Sequence, residues 1–281
     1  MKYIVISIVV MALCLVVGFI VVRFAQRKAK AQWPMWLRAL LGIACGLVLM
    51  VAVGVGYLQQ YQHAAPEAVA ALEGSEEVIV QETPNGWLFD GPGSQTAFVF
   101  YPGAKVEAAA YAPLMNRISA LGMDCFLVRM PFRMALFDGG AADELISAYD
   151  YDHWMVGGHS MGGMMAANYA AENPDQVEGL ALLAAYSTEP ISDDMLVVSI
   201  YGDRDGVLDR EAYEDNFANL PPDVFEVVIE GGNHANFGNY GNQPGDNAAE
   251  VSAEVQQKQT TSAIAHVATE IQGGCIACLA K

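Results

Sequence analysis

Trp154-Met155-Val156-Gly157-Gly158-His159-Ser160-Met161-Gly162-Gly163 joins an apolar strand-like run to a Gly-x-Ser-x-Gly pattern and then to a helix-forming stretch. Few short sequences constrain a fold more. A serine between a strand and a helix must sit on a turn sharp enough to carry its hydroxyl past the end of the sheet. Gly158 and Gly162 remove the β-carbons that would collide across such a turn. The pattern also occurs in ordinary strand-to-helix packing turns, so its chemical reading depends on partners elsewhere in the chain.

A serine hydroxyl is a poor nucleophile until a histidine takes its proton and a carboxylate orients that histidine. Both partner types follow in the order Ser, Asp, His. The buried-strand pattern Met195-Leu196-Val197-Val198-Ser199-Ile200-Tyr201 ends in Gly202-Asp203-Arg204-Asp205-Gly206, and Val224-Phe225-Glu226-Val227-Val228-Ile229-Glu230 ends in Gly231-Gly232-Asn233-His234. If these strands are parallel, all three groups emerge at one edge of the sheet, where open α/β folds bind ligands. The other four histidines fit less well: His63 lies at the end of an apolar run, His153 precedes the Ser160 strand, His159 fills a variable position of the pattern, and His266 falls on an amphipathic stretch. They read as structural or surface residues.

Periodicity predicts strands at 78–81, 87–90, 97–101, 124–129, 154–158, 179–184, 196–201 and 225–229, with helices at 107–121, 141–149, 161–172, 210–216 and 252–270. The alternation implies a mostly parallel α/β sheet with helices on both faces. Pro84-Asn85-Gly86 makes the first two strands an antiparallel hairpin at its edge.

With these segments in view, the chain resembles the α/β-hydrolases, and within them the compact bacterial branch related to dienelactone hydrolases, over roughly residues 76–271. Beyond the three segments above, Phe98-Val99-Phe100-Tyr101-Pro102-Gly103-Ala104-Lys105-Val106 resembles the oxyanion strand and loop of that branch, and Met130-Pro131-Phe132 and Gly231-Gly232-Asn233-His234-Ala235-Asn236-Phe237-Gly238 resemble its other signatures. The resemblance implies a serine hydrolase in which Ser160 is the nucleophile, His234 the base and Asp205 the orienting acid. Asp205 is preferred to Asp203 because the family's acid commonly holds the fourth position of Gly-x-x-Asp. Oxyanion donors are expected from the N–H of Met161 and of Ala104 or Gly103, with no metal or organic cofactor required. Two alternatives stay open: acyl transfer to a cell-envelope acceptor, and a non-catalytic membrane binding module on the same fold.

The family commonly inserts a lid after the strand that follows the nucleophile helix. Here residues 184–194 lead directly to the next strand, so no lid is expected and the pocket should be shallow, bounded by residues 130–137 and 236–247. Asp246, in the second of these, reads as part of a solvated loop.

Residues 1–60 contain no acid and hold two apolar runs, 3–22 and 39–58, each near the roughly 20 residues that span a bilayer. Between them Arg23, Arg27, Lys28, Lys30 and Arg38 accompany Trp33 and Trp36. By the positive-inside rule this loop is cytoplasmic, which gives a two-pass membrane protein with its larger domain on the extracytoplasmic side. Ala29-Lys30-Ala31 also has the form of a signal-peptide processing site, but the basic flank resembles a stop-transfer signal, and the second run would still anchor the chain. The expected organisation is two transmembrane helices in 1–60, a linker or short helix in 61–75, one α/β domain in 76–272 and a flexible tail in 273–281.

The net charge of −18 is uneven: six basic residues precede position 60, leaving eight basic against 32 acidic residues beyond it, a balance of −24. That surface excludes nucleic acid as a partner and makes strongly anionic substrates less expected. The partners expected are a small acyl or ester substrate, as the resemblance implies, and the bilayer, through the two apolar runs. The five cysteines do not suggest a disulfide framework: Cys14 and Cys45 read as small apolar residues within the apolar runs, and Cys275-x-x-Cys278 in the tail leaves open one small disulfide.

Overall fold

A computed structural model describes residues 2–30, 32–93 and 95–273 of the chain. Ala31, Cys275 and Cys278 lie outside the described residues. The chain divides into two compact units, Met1–Gln60 and Tyr61–Lys281.

The first unit is a pair of helices, α1 (Lys2–Ala29) and α2 (Met35–Leu58). Val9–Ala29 and Met35–Leu58 are long and apolar enough to cross a membrane. They pack through small residues: a β-carbon on Gly18 would come within 2.5 Å of Gly42 O and 2.6 Å of Gly46 N. Close approach of backbones through a Gly-x-x-x-Gly pair is how helices associate where no hydrophobic effect drives them together.

The second unit opens with a short helix, α3 (Pro66–Ala70), which continues as a 3₁₀ turn through Glu73. Residues 61–73 are therefore no free tether. Ala68 is fully buried, and Asn116 Nδ2 donates to Ala71 O.

Eight strands among the described residues form one sheet: β1 (Ile79–Thr83), β2 (Gly86–Asp90), β3 (Thr96–Tyr101), β4 (Asp124–Val128), β5 (His153–His159), β6 (Gly179–Leu183), β7 (Leu196–Gly202) and β8 (Phe225–Ile229), in the spatial order β1-β2-β4-β3-β5-β6-β7-β8. The β1–β2 and β2–β4 pairs are antiparallel and every other pair is parallel. The helices are α4 (Ala112–Ser119), α5 (Ala141–Ala148), α6 (Met161–Glu172), α7 (Arg210–Asn216) and α8 (Ala253–Ile271). Along β3, Phe98 and Phe100 join one core cluster while Ala97, Val99 and Tyr101 join another. Both faces of the central strands are thus covered, as parallel strands require.

One predicted helix is shorter than expected. Residues 107–121 divide into a 3₁₀ turn at Ala108–Tyr111 and α4, which starts one residue before Pro113. Proline lacks an N–H and is tolerated only in the first turn, so the α-helix begins there. At the other end of the chain, α8 starts where Ser252 Oγ accepts from Val255 N, an ordinary N-cap.

Candidate active site

Ser160 stands between β5 and α6 with φ 55° and ψ −126°, a left-handed conformation foreign to most L-residues. Held strain of this kind costs roughly 1–3 kcal/mol and persists only when its surroundings over-determine it. They do so here: a β-carbon on Gly158 would lie 2.5 Å from Tyr101 O, and one on Gly162 would strike the carbonyls of Tyr101 and Pro102. The Ser160 N–H donates to Leu183 O on the next strand, leaving the side chain half-buried at the sheet edge.

Asp205 and His234 come together from the loops after β7 and β8. Asp205 Oδ2 lies 2.8 Å from His234 Nδ1, with side chains 0% and 1% exposed. Asp205 Oδ1 accepts from the N–H groups of Val207 and Leu208, both at 2.8 Å. A carboxylate only accepts, so His234 Nδ1 carries a proton and donates it to Asp205. His234 Nε2 is buried and has no partner among the described residues; no hydrogen bond joins it to Ser160 Oγ. His159, the residue before Ser160, sets its ring 4.4 Å from that of His234, tilted by 50°.

Asp203 faces elsewhere. Its Oδ1 accepts from Gly231 N at 2.7 Å, tying the end of β7 to the turn after β8.

Of the three expected oxyanion donors, the structure commits one to other work: Gly103 N–H donates to Tyr111 Oη at 3.1 Å. The N–H groups of Met161 and Ala104 have no hydrogen-bond acceptor among the described residues.

Four residues that sequence reasoning did not assign to the site hold this arrangement: Tyr111, His159, Asp246 and Gln256. Tyr111 Oη accepts from Gly103 N–H and shares a hydrogen bond with His159 Nδ1, 2.8 Å away. Burial, then the neighbouring His234, hold the His159 imidazole well below its usual pKa, so His159 is a neutral wall of the site and no surface residue. Asp246, read as part of a solvated loop, accepts from Gly206 N at 3.0 Å and Ala235 N at 2.9 Å. One carboxylate thereby ties the residue after Asp205 to the residue after His234. Gln256, buried on α8, makes two bonds to the Asn233 backbone, at 3.0 and 2.7 Å. Long-range contacts of this kind leave no local pattern; only the placement of His159 inside the turn hinted at burial.

Two separate depressions lie on the segments expected to bound the pocket. A cavity of about 450 Å³ is lined by Val69, Leu72, Trp87, Pro102, Val106, Met130, Phe132 and both Arg129 and Arg133, which puts it beside the loop carrying Gly103 and Ala104. A smaller one of about 230 Å³ lies between Asn233 and residues 242–248. Ser160 and His234 line neither, and Leu136 and Phe137, expected at the pocket, line neither as well.

Among solved structures, the fold is similar to a dienelactone hydrolase from Anabaena variabilis (15% identity, TM-score 0.49, 68% of this chain and 97% of that one). It is also similar to Est1E from Butyrivibrio proteoclasticus (12%, 0.47, 69% and 100%) and to mouse alpha/beta hydrolase domain-containing protein 10 (11%, 0.49, 69% and 99%). No curated protein matches the chain. The model of the alpha/beta hydrolase family matches residues 97–258, from β3 through the Ser160 turn and the His234 loop into α8. The chain belongs to the alpha/beta hydrolase family.

Proposed function

We propose that this protein is a membrane-anchored serine hydrolase acting on a carboxylic ester or related acyl compound. The observation that carries the reading is the buried 2.8 Å contact between Asp205 and His234, beside a serine held at φ 55°. Ser160 Oγ attacks the acyl carbonyl carbon as His234 Nε2 takes its proton, a contact that closes when substrate is bound. The N–H groups of Met161 and Ala104 receive the developing oxyanion. The imidazolium, stabilised by Asp205, then protonates the departing alcohol. Water deprotonated by His234 attacks the acyl-enzyme, releases the acid and restores Ser160.

Labelling the full-length protein with a fluorophosphonate probe tests nucleophile and base together. Wild type is expected to be labelled and to hydrolyse a simple ester, and Ser160→Ala to do neither while remaining folded. Labelling of the variant at wild-type intensity overturns the assignment.

In this reading Val9–Ala29 and Met35–Leu58 cross the membrane, the basic loop between them is cytoplasmic, and the hydrolase domain lies outside. Protease added to intact cells is expected to reach the domain and spare the loop. The opposite pattern reverses the topology.

A further inference from the structure

Three large apolar side chains stand out from the surface of the folded domain within one six-residue stretch: Phe132, Leu136 and Phe137 are 58, 60 and 55% exposed. The rings of Phe132 and Phe137 meet edge to face, 5.7 Å apart. The backbone supporting them is strained, with φ 52° at Phe132 and 59° at Arg133. A clustered apolar patch on an otherwise acidic domain calls for a partner.

The partner is indicated by what enters at this point. Tyr61 follows α2 after only two residues, and the Arg133 guanidinium lies 3.4 Å over its ring. Gln62 N donates to Lys105 O, and Lys105 N to Arg133 O. The peptide leaving the second apolar helix is thus fastened to the loop that bears the patch. Charge agrees: Lys105, Arg129 and Arg133 are three of only eight basic residues beyond position 60. Arg129 is paired to Glu82, and Glu107 lines the same depression. Together with Arg133 and Lys105, Arg129 flanks exposed aromatic and aliphatic side chains, so basic residues, scarce on the rest of the acidic domain, gather beside the patch as at a membrane interface. Residues 130–137 follow β4, which runs parallel to β3, as does β5. The patch therefore shares the sheet edge that carries Ser160.

We propose that Phe132, Leu136 and Phe137 seat in the interfacial layer of the bilayer spanned by α1 and α2, and that the site takes acyl esters resident in that leaflet. The substrate part rests on the serine hydrolase reading above; the seating part does not.

Full-length protein in phosphatidylcholine–phosphatidylglycerol vesicles provides the test, in a background with Cys14, Cys45 and Cys125 changed to Ala and Cys275 and Cys278 to Ser. An environment-sensitive fluorophore is placed on Leu136→Cys or, as a control at the opposite sheet edge between α6 and β6, on Asp175→Cys. Lipids brominated in the acyl chain are expected to quench the first and not the second. Equal quenching, or none at position 136, overturns the seat. In parallel, Leu136→Asp/Phe137→Asp is expected to lower turnover of a long-chain ester held in the vesicles at least about tenfold, since it removes two buried apolar contacts with lipid. Turnover of a water-soluble short-chain ester should not change. Equal loss on both esters, or a change of oligomeric state without lipid quenching, identifies a pocket wall or a contact between copies and overturns the proposal. If position 136 is quenched but wild type cleaves neither ester, the seat stands and the hydrolase reading falls.

Discussion

On the acid–histidine side of the site, Asp205, Asp246 and Gln256 reach backbone groups of the very loops they support, through bonds of 2.7–3.0 Å. On the side of the proposed oxyanion donors, the loop after β3 is held by Tyr111 on Gly103, Arg133 on Lys105, and the incoming Gln62 on Lys105 and Glu107. On the first wall the Asp205–His234 pair is buried and both Asp205 oxygens are bonded, while Asp246 ties the loops at the surface. The second is half-open and carries left-handed residues at Lys105, Phe132 and Arg133. A general base needs one tautomer held still, which a closed carboxylate network provides. A wall that admits substrate cannot be closed in the same way, and its shape depends on chain segments that arrive from elsewhere.

The largest expected effect breaks the first wall. Asp205→Asn should lower kcat by roughly 10⁴-fold with the fold intact, because the amide favours the wrong imidazole tautomer. Asp203→Asn should affect mainly Tm, since Asp203 serves a turn. Steady-state kinetics and thermal melts of the two purified variants decide the matter, and activity lost in Asp203→Asn alone would move the acid to the other position.

Next comes Asp246→Ala, which removes the acceptor shared by the loops after Asp205 and His234. Charge-assisted bonds of this kind are worth about 2 kcal/mol, or roughly 4–8 °C in Tm for a domain of this size. The expected kinetic signature is a lower kcat with KM little changed. An unchanged kcat would mean that the first wall does not depend on this tie.

The second wall is probed by Tyr111→Phe. Losing the hydroxyl leaves Gly103 N–H and His159 Nδ1 without a partner in a buried site, at a cost of about 1–2 kcal/mol. Freed from Tyr111, Gly103 is expected to shift the oxyanion loop and reduce kcat more than binding. A variant with lower Tm but wild-type kcat would show that the loop keeps its shape without this bond.

The smallest effect is one of pH. His159 has a lower pKa folded than unfolded, so between the two values the unfolded chain binds more protons and acid costs stability, by at most about 1.4 kcal/mol per pH unit. Relative to His159→Gln, the wild type should hold its advantage in Tm above the ordinary imidazole range and lose it progressively below. A Tm difference constant with pH would mean that His159 protonates as readily in the folded state as in the unfolded one.

Much of this wall-by-wall difference was invisible to pattern reading. Ser160, Asp205 and His234 each end a run of apolar residues, and runs at strand spacing are legible because side-chain burial is local to the strand. Asp246 looked like one more polar residue in a loop rich in Gly and Asn. Its role exists only because β7 and β8 are neighbours in the sheet. Pro113 was a legible stop signal, and it sets the start of α4 inside what periodicity alone read as one longer helix.

What the sequence by itself determined is whatever rests on local chemistry: two helices apolar enough for a bilayer, the alternation of strands and helices, the glycines that permit the Ser160 turn, and the serine, acid and histidine types at strand ends. What only the tertiary structure decided is the use of groups distant along the chain: His159 kept neutral against His234, Asp246 tying Gly206 to Ala235, and Gln62 bonded to Lys105 and Glu107. The division follows from range. Propensity and periodicity act over a few residues, whereas a hydrogen bond or a desolvated ring depends on which segments the sheet order makes neighbours, and that order is a property of the whole fold.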